Sequence, residues 1–115
     1  MKKTLGEIIK HIRNEKGISL RQLADIVNVS NVNILYIEKG KINTSLPILK
    51  GIAKALNYNI DKLLALADMI DDDIRNIINR RPIPITNFLR VAKNLTNNDW
   101  NILTEHVLKM NSKVS

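Results

Sequence analysis

The chain has 115 residues, of which 44% are apolar, a net charge of +7 and no cysteine. This length predicts one compact domain or a small domain with an appendage, and the lack of cysteine excludes disulfides and thiolate metal sites. Because no apolar run approaches about 18 residues and no signal-peptide pattern begins the chain, we expect a cytoplasmic protein that does not span a membrane.

The first predicted helix begins at Thr4. Thr4 and Glu7 have the spacing of a capping box, in which each side chain satisfies the other residue's backbone N–H group. Apolar residues then repeat at helical spacing along one face, at Leu5, Ile8, Ile9 and Ile12. Gly17 is expected to end this helix, since glycine readily adopts the left-handed conformation found at helix ends.

Residues 19–40 predict two short helices joined by a tight turn. Ser19 and Gln22 form a second capping-box pattern, which places the start of the first of these helices. Asn28 is expected to end it, because Asn is the commonest residue after glycine in a left-handed turn. The buried stripe of this helix consists of Leu20, Leu23, Ala24 and Val27.

Ser30 is predicted to cap the second helix of this pair. Ile34 and Ile37 face inward at helical spacing. The opposite face therefore lacks a partner within the fold, and it carries Asn31, Val32, Asn33 and Tyr36.

The rest of the chain continues the helical pattern, and no segment shows the alternation of a strand. Ser45 and Asn59 open a fourth and a fifth helix, and the acidic residues before Ile74 predict another over about 70–80. Prolines at 82 and 84 are expected to end it, with a short segment beginning at Thr86. Thr96 would cap a last helix with one apolar stripe, formed by Trp100, Leu103, Val107 and Met110.

The positive charge lies mostly in the first part of the chain. Residues 1–67 carry 11 Lys and Arg against 5 Asp and Glu, whereas residues 68–115 carry 7 against 6. Lysine and arginine replace the counterions along nucleic-acid phosphates, so the basic part is the candidate for binding DNA.

These helices resemble the Cro/CI-type helix-turn-helix family of phage repressors and bacterial regulators, the XRE family. The similarity runs over residues 5–64 and includes "EKGISLRQLA", "IEKGK" and "LPILKGIAKALNYNIDKLL". It implies an all-α protein with a five-helix lambda-repressor-like DNA-binding domain over 1–67 and a short helical tail over 68–115. It also implies a transcriptional regulator, which we expect to be a repressor that binds an inverted repeat in double-stranded DNA as a homodimer. A structural ion pair between Arg13 and Glu38 is implied as well.

Within this resemblance, the second helix of the pair would lie in the major groove. Asn31 and Asn33 could bond adenine and Val32 could pack on a thymine methyl group, while Tyr36 could reach a base or a phosphate. Alternatively, the asparagines satisfy the start of their own helix and the tyrosine ring packs partly in the core. Phosphate contacts are expected from Ser30, Lys39, Lys41, Asn43 and Thr44, although a merely solvated loop is the alternative.

The tail allows two interpretations. Its stripe over 100–110 could pair two subunits or bind an antagonist protein, as the tails of SinR-like repressors do, or it could only pack on its own domain. A different class of function, an antitoxin-like or scaffold protein acting mainly through these helices, also fits the pattern. Enzymatic function is not expected. His11 and His106 lack further metal ligands at suitable spacing, there is no glycine-rich phosphate loop, and no cofactor is predicted.

Overall fold

A computed structural model describes residues 3–112, which form eight α-helices and no strand. The helices are α1 (Leu5–Glu15), α2 (Leu20–Val27), α3 (Asn31–Glu38), α4 (Leu46–Leu56), α5 (Ile60–Leu66), α6 (Asp72–Arg80), α7 (Pro82–Val91) and α8 (Asn97–Ser112). The predicted all-α fold is therefore confirmed. None of these helices is long and apolar enough to cross a bilayer. Residues 113–115 of the predicted tail lie outside the described part of the chain.

The chain divides into two compact units, Met1–Arg75 and Asn76–Ser115. The first contains α1 to α5 around one core. Ile34 and Ile37 of α3 are buried in it, and Ile9 of α1 and Leu23 of α2 are also fully enclosed. The core consists of Ile9, Ile12, Leu23, Ala24, Ile34, Ile37, Leu49, Ile52, Ala53, Leu56, Leu63 and Leu64. Helix α3 is thus fixed by its inner face, and it packs mainly against α1 and α2.

Polar side chains begin these helices as the spacing predicts. The Gln22 backbone N–H donates to Ser19 Oγ at 3.0 Å, and the Ser19 N–H donates to Gln22 Oε1 at 2.8 Å, which completes the capping box. Thr4 accepts a hydrogen bond from the Glu7 N–H at 3.2 Å. Asn28 lies in the left-handed region with φ 60° and ψ 49°, as predicted for the turn before α3.

Helix α1 approaches the end of α3 at Gly6. A Cβ atom on Gly6 would overlap the Glu38 carbonyl oxygen and would lie 2.6 Å from the Ile37 carbonyl oxygen. Only glycine therefore allows the first turn of α1 to lie against the last carbonyl groups of α3. This contact joins the positive end of one helix dipole to the negative end of another, which is a favourable arrangement.

We expect Gly6→Ala to lower the free energy of unfolding by about 1 to 3 kcal/mol, because backbone must move to admit the added methyl group. Urea denaturation of the two proteins would measure the difference. Gly51→Ala is the matched control, since its Cβ would meet only the Val27 side chain, at 3.0 Å from Cγ1. Equal stability of the two alanine variants would show that the approach at Gly6 is not tight in solution.

An ion pair lies next to the start of α6. Lys50 Nζ of α4 is 2.8 Å from Asp71 Oδ1, which also accepts the Asp72 N–H at 2.7 Å. The hydrogen bond from Lys50 lowers the pKa of the Asp71 carboxyl below its usual value, and the same bond raises the pKa of Lys50. Helix α6 itself buries no residue.

In the second unit, α7 begins at Pro82 rather than at Thr86, so the predicted start is wrong. Pro82 occupies the first position of the helix, where its missing N–H group would have no partner in any case. Thr86 lies inside the helix, and its hydroxyl donates to the Pro82 carbonyl oxygen at 2.7 Å. Proline thus starts a helix here as well as ending the one before it.

Helices α7 and α8 of this unit contact each other through aromatic rings. The Phe88 and Trp100 rings are edge to face, with centroids 6.1 Å apart and an interplanar angle of 74°. Thr96 Oγ1 accepts the Asp99 N–H at 3.1 Å, which confirms the predicted cap of α8. Within residues 76–112, Ala92 is the one buried apolar residue. This unit has very little core of its own.

Candidate nucleic-acid interface

The outer face of α3 is open to solvent at three of the four predicted positions. Asn31 is exposed, and the Val32 and Tyr36 side chains are 53% and 40% exposed. Tyr36 lies outside the buried core, so core packing does not account for its ring. Because α3 is fixed from its inner side, this face could meet the major groove without first having to fold.

Asn33 occupies a different environment and is half-buried. Its backbone N–H donates to Ser30 Oγ at 3.1 Å, so Ser30 caps α3. The Asn33 side-chain Oδ1 is enclosed and accepts no hydrogen bond from residues 3–112. This oxygen therefore does not satisfy the start of its own helix. An enclosed acceptor without a donor costs on the order of 1 to 3 kcal/mol, and this oxygen could accept a hydrogen bond from a base only if the amide turned outward.

Tyr36 and Lys41 are neighbours, although the sequence predicts separate roles for them. Lys41 Nζ lies 5.9 Å from the centre of the Tyr36 ring, within the range of a cation–π contact. The charge of Lys41 thus lies beside a residue predicted to contact a base. A change at either position is expected to affect the other.

The loop after α3 brings the other predicted phosphate contacts to the surface. Lys39, Lys41 and Asn43 are exposed, whereas Thr44 is half-buried. The Thr44 Oγ1 atom is enclosed and has no hydrogen-bond partner within the described residues. Two lysines and an amide are therefore free to meet a phosphate backbone, but Thr44 would have to reorient to do so.

Behind this surface, Arg13 and Glu38 form a buried bidentate ion pair. Arg13 Nε donates to Glu38 Oε2 at 2.7 Å, and Nη2 donates to Oε1 at 3.1 Å. Arg13 Nη1 also donates to the Ile18 carbonyl oxygen at 2.9 Å. The two residues are 7% and 8% exposed. They link α1, the end of α3 and the turn before α2, and they are too enclosed to contact DNA themselves.

The apolar stripe predicted on α8 is only partly exposed. Trp100 and Leu103 are half-buried against α7, whereas the Val107 and Met110 side chains are exposed. Phe88, Val91, Ala92, Leu95, Asp99, Ile102 and Leu103 line a groove of about 450 Å³ within this unit.

Two features of these surfaces are not apparent from the sequence patterns. Gly6 determines how closely α1 approaches α3, and the only sequence signal is a glycine in the first turn of a helix. Ile83 and Val91 of α7 are 72% and 86% exposed, so the apolar surface of the second unit extends beyond α8. A predicted start of α7 at Pro82 would have indicated this broader apolar surface.

Comparison with known proteins assigns the family. A family model described as helix-turn-helix matches residues 9–63, which include α2, the turn at Asn28 and α3. The control protein C.SmaI of Serratia marcescens is 36% identical over 64 residues, which cover 56% of this chain and 76% of that protein. The chain belongs to the XRE-type helix-turn-helix family.

Another relative of this helix-turn-helix protein is the competence pilus inhibition repressor of Acinetobacter baylyi. It is 32% identical over 69 residues, or 60% of this chain. The matched region spans 63% of that repressor's length, so the relative contains a part that this match does not cover. A chain of the solved complex of the SinR and SinI proteins aligns with this chain over 95% of this chain's length and 99% of its own length. The TM-score is 0.52 and the sequence identity is 20%. That likeness concerns the fold alone.

Proposed function

We propose that this protein is a DNA-binding transcriptional repressor that binds an inverted-repeat operator as a homodimer, with residues 1–67 contacting DNA and residues 68–115 pairing the subunits. The observation that supports it most directly is the outer face of α3, which is exposed, rigidly held and followed by a loop with two exposed lysines. Its relatives include proteins named as repressors.

Base discrimination is assigned to the first turns of α3. The exposed Asn31 amide can both donate to and accept from adenine in the major groove, and the Asn33 amide can do so once its enclosed oxygen turns outward. Val32 offers a methyl surface for thymine, and Tyr36 extends the contact toward a base or phosphate. Position and general affinity are assigned to phosphate contacts from Ser30, Lys39, Lys41, Asn43 and Thr44.

The sparse core of the second unit supports pairing between subunits. Exposed apolar residues on α7 and α8 surround a groove that is open to water in a single chain. A second copy of the chain could cover these residues. Val107 and Met110 offer surface directly, Leu103 lines the groove, and Trp100 packs on Phe88. A symmetric dimer would place two α3 helices about 34 Å apart, roughly one turn of the duplex.

The same groove favours a second candidate, in which the tail is occupied mainly by another protein. Such a protein would be an antagonist if it competed with the second subunit, or a cognate partner if this chain were antitoxin-like. The two candidates differ in their response to salt. DNA binding through phosphates weakens steeply as salt rises, whereas an apolar protein complex persists.

We expect Asn33→Ala to lose about 1 to 3 kcal/mol of binding free energy on the preferred operator and little on random DNA, because it removes a base contact. Fluorescence anisotropy with labelled DNA from upstream of the chain's own gene, against a random duplex, would measure both losses.

Lys39→Ala is the matched control for this experiment, since Lys39 makes no cation–π contact within residues 3–112 whereas Lys41 contacts Tyr36. It should weaken binding to both duplexes and reduce the salt slope by about one unit, as expected for one lost phosphate contact. Equal losses on both duplexes for Asn33→Ala would remove Asn33 from the base-contacting residues.

A further inference from the structure

Helix α6 and the residues just before it carry apolar side chains that are about half exposed. Ile74 and Ile77 are 43% and 54% exposed, and Ile70 just before the helix is 45% exposed. Ile74 and Ile77 are three residues apart on one face of the helix, and Ile70 precedes the start of the helix by two residues. No residue of α6 is buried. Isoleucines repeated on one face of an unburied helix indicate a surface that packs against something.

The two ends of α6 carry charges of opposite sign, and Arg75 lies between them. Asp72 and Asp73 lie in its first turn, while Arg80 ends it and Arg81 follows. Within the described part of the chain, these four residues form no ion pair. The neighbouring Asp71 differs, because Lys50 already pairs with it. One end of the helix is thus acidic and the other basic, with the isoleucines between them.

We propose that α6 packs antiparallel against α6 of a second copy of this chain, around a twofold axis near the middle of the helix. This inference rests on the homodimer proposed above and adds a contact to it. In the antiparallel pair, the acidic end of each copy meets the basic end of the other, and Ile74 of one copy packs near Ile77 of its partner. A parallel pair would place aspartates beside aspartates and arginines beside arginines.

The size of this contact determines its role. Nine residues make a helix about 13 Å long, and two such helices bury far less than the roughly 1,200 Å² of a stable interface. The α6 pair therefore supplements the contact through α7 and α8. Exposed ion pairs contribute little affinity, so the charges select the antiparallel orientation while the isoleucines supply the attraction.

Cysteine cross-linking of the full chain tests the orientation, and the natural sequence contains no cysteine to interfere. We expect Asp73→Cys and Arg80→Cys proteins, mixed and oxidised, to form a disulfide between the two variants. Neither variant alone should cross-link efficiently. In an antiparallel pair, each of these positions is about seven residues along the helix, or roughly 10 Å, from the same position in the other copy. A disulfide needs the two Cβ atoms within about 4.5 Å of each other.

Sedimentation of charged variants provides an independent measurement. Ile77→Asp should raise the dimer dissociation constant about tenfold or more, because it places two carboxylates near the axis. Asn79→Asp, which adds the same charge on the opposite face of α6, should change the constant less than threefold. Self-cross-linking of either cysteine variant would overturn the antiparallel orientation. Dimeric protein with no cross-link and no effect of Ile77→Asp would show that α6 lies outside the interface. A monomeric full chain would reject the homodimer itself, and this inference with it.

Discussion

Glu38→Ala should lower the free energy of unfolding by about 3 to 5 kcal/mol, the largest stability effect that we expect in this chain. The change removes both carboxylate acceptors from Arg13, whose guanidinium is enclosed at the meeting point of α1 and α3. A buried charge without a partner is far more costly than the absence of the pair. Urea denaturation followed by circular dichroism would give the difference from the shift in midpoint.

Two controls separate burial from charge in this experiment. Arg13→Met combined with Glu38→Leu should cost less than Glu38→Ala alone, because no charge remains buried. Glu15→Ala should change stability by less than about 1 kcal/mol, since its pair with His11 is exposed. A loss below about 1 kcal/mol for Glu38→Ala would mean that water reaches the Arg13 side chain and that the pair does not fix α3.

The second large effect concerns the tail and operator affinity. Trp100→Ala and Leu103→Asp should each weaken operator binding by about a hundredfold or more, because two linked half-sites bind that much more tightly than one. Trp100 packs edge to face on Phe88, and Leu103 lines the groove that the second subunit would cover. Affinity for a single half-site should remain nearly unchanged, since α1 to α5 form their own core.

Sedimentation and anisotropy on the same samples would measure dimerisation and operator binding together. Asn101→Asp is a suitable control, because it adds the same charge to α8 at an exposed polar position. If Trp100→Ala and Leu103→Asp remain dimeric and bind the operator normally, the tail does not pair the subunits. Its helices would then be a packing appendage, and regulation would act elsewhere.

Local chemistry accounts for the parts of the fold that could be predicted. The reciprocal bonds of Ser19 and Gln22 depend on residues three apart, and the left-handed conformation of Asn28 depends on one residue and its turn. The inward positions of Ile34 and Ile37 follow from helical periodicity. Such features are contained in short segments, so the sequence alone indicates them.

Features that depend on contacts between distant segments could not be predicted in the same way. Glycine is needed at position 6 because the backbone carbonyl group of Glu38 lies against it. No local sequence pattern relates positions that are 32 residues apart. At Pro82, two physical effects compete, since proline can end one helix or begin the next. The enclosed amide oxygen of Asn33 likewise results from how neighbouring segments surround α3.

Selection of DNA by this protein from a pool of random duplexes tests sequence-specific binding most directly. We expect enrichment of one inverted repeat whose half-site centres lie about 10 base pairs, or roughly 34 Å, apart. Asn33→Ala protein should enrich a pool with relaxed preference within each half-site, at unchanged spacing. Recovery of no common sequence, or of duplexes selected only by length and charge, would contradict sequence-specific reading by the outer face of α3.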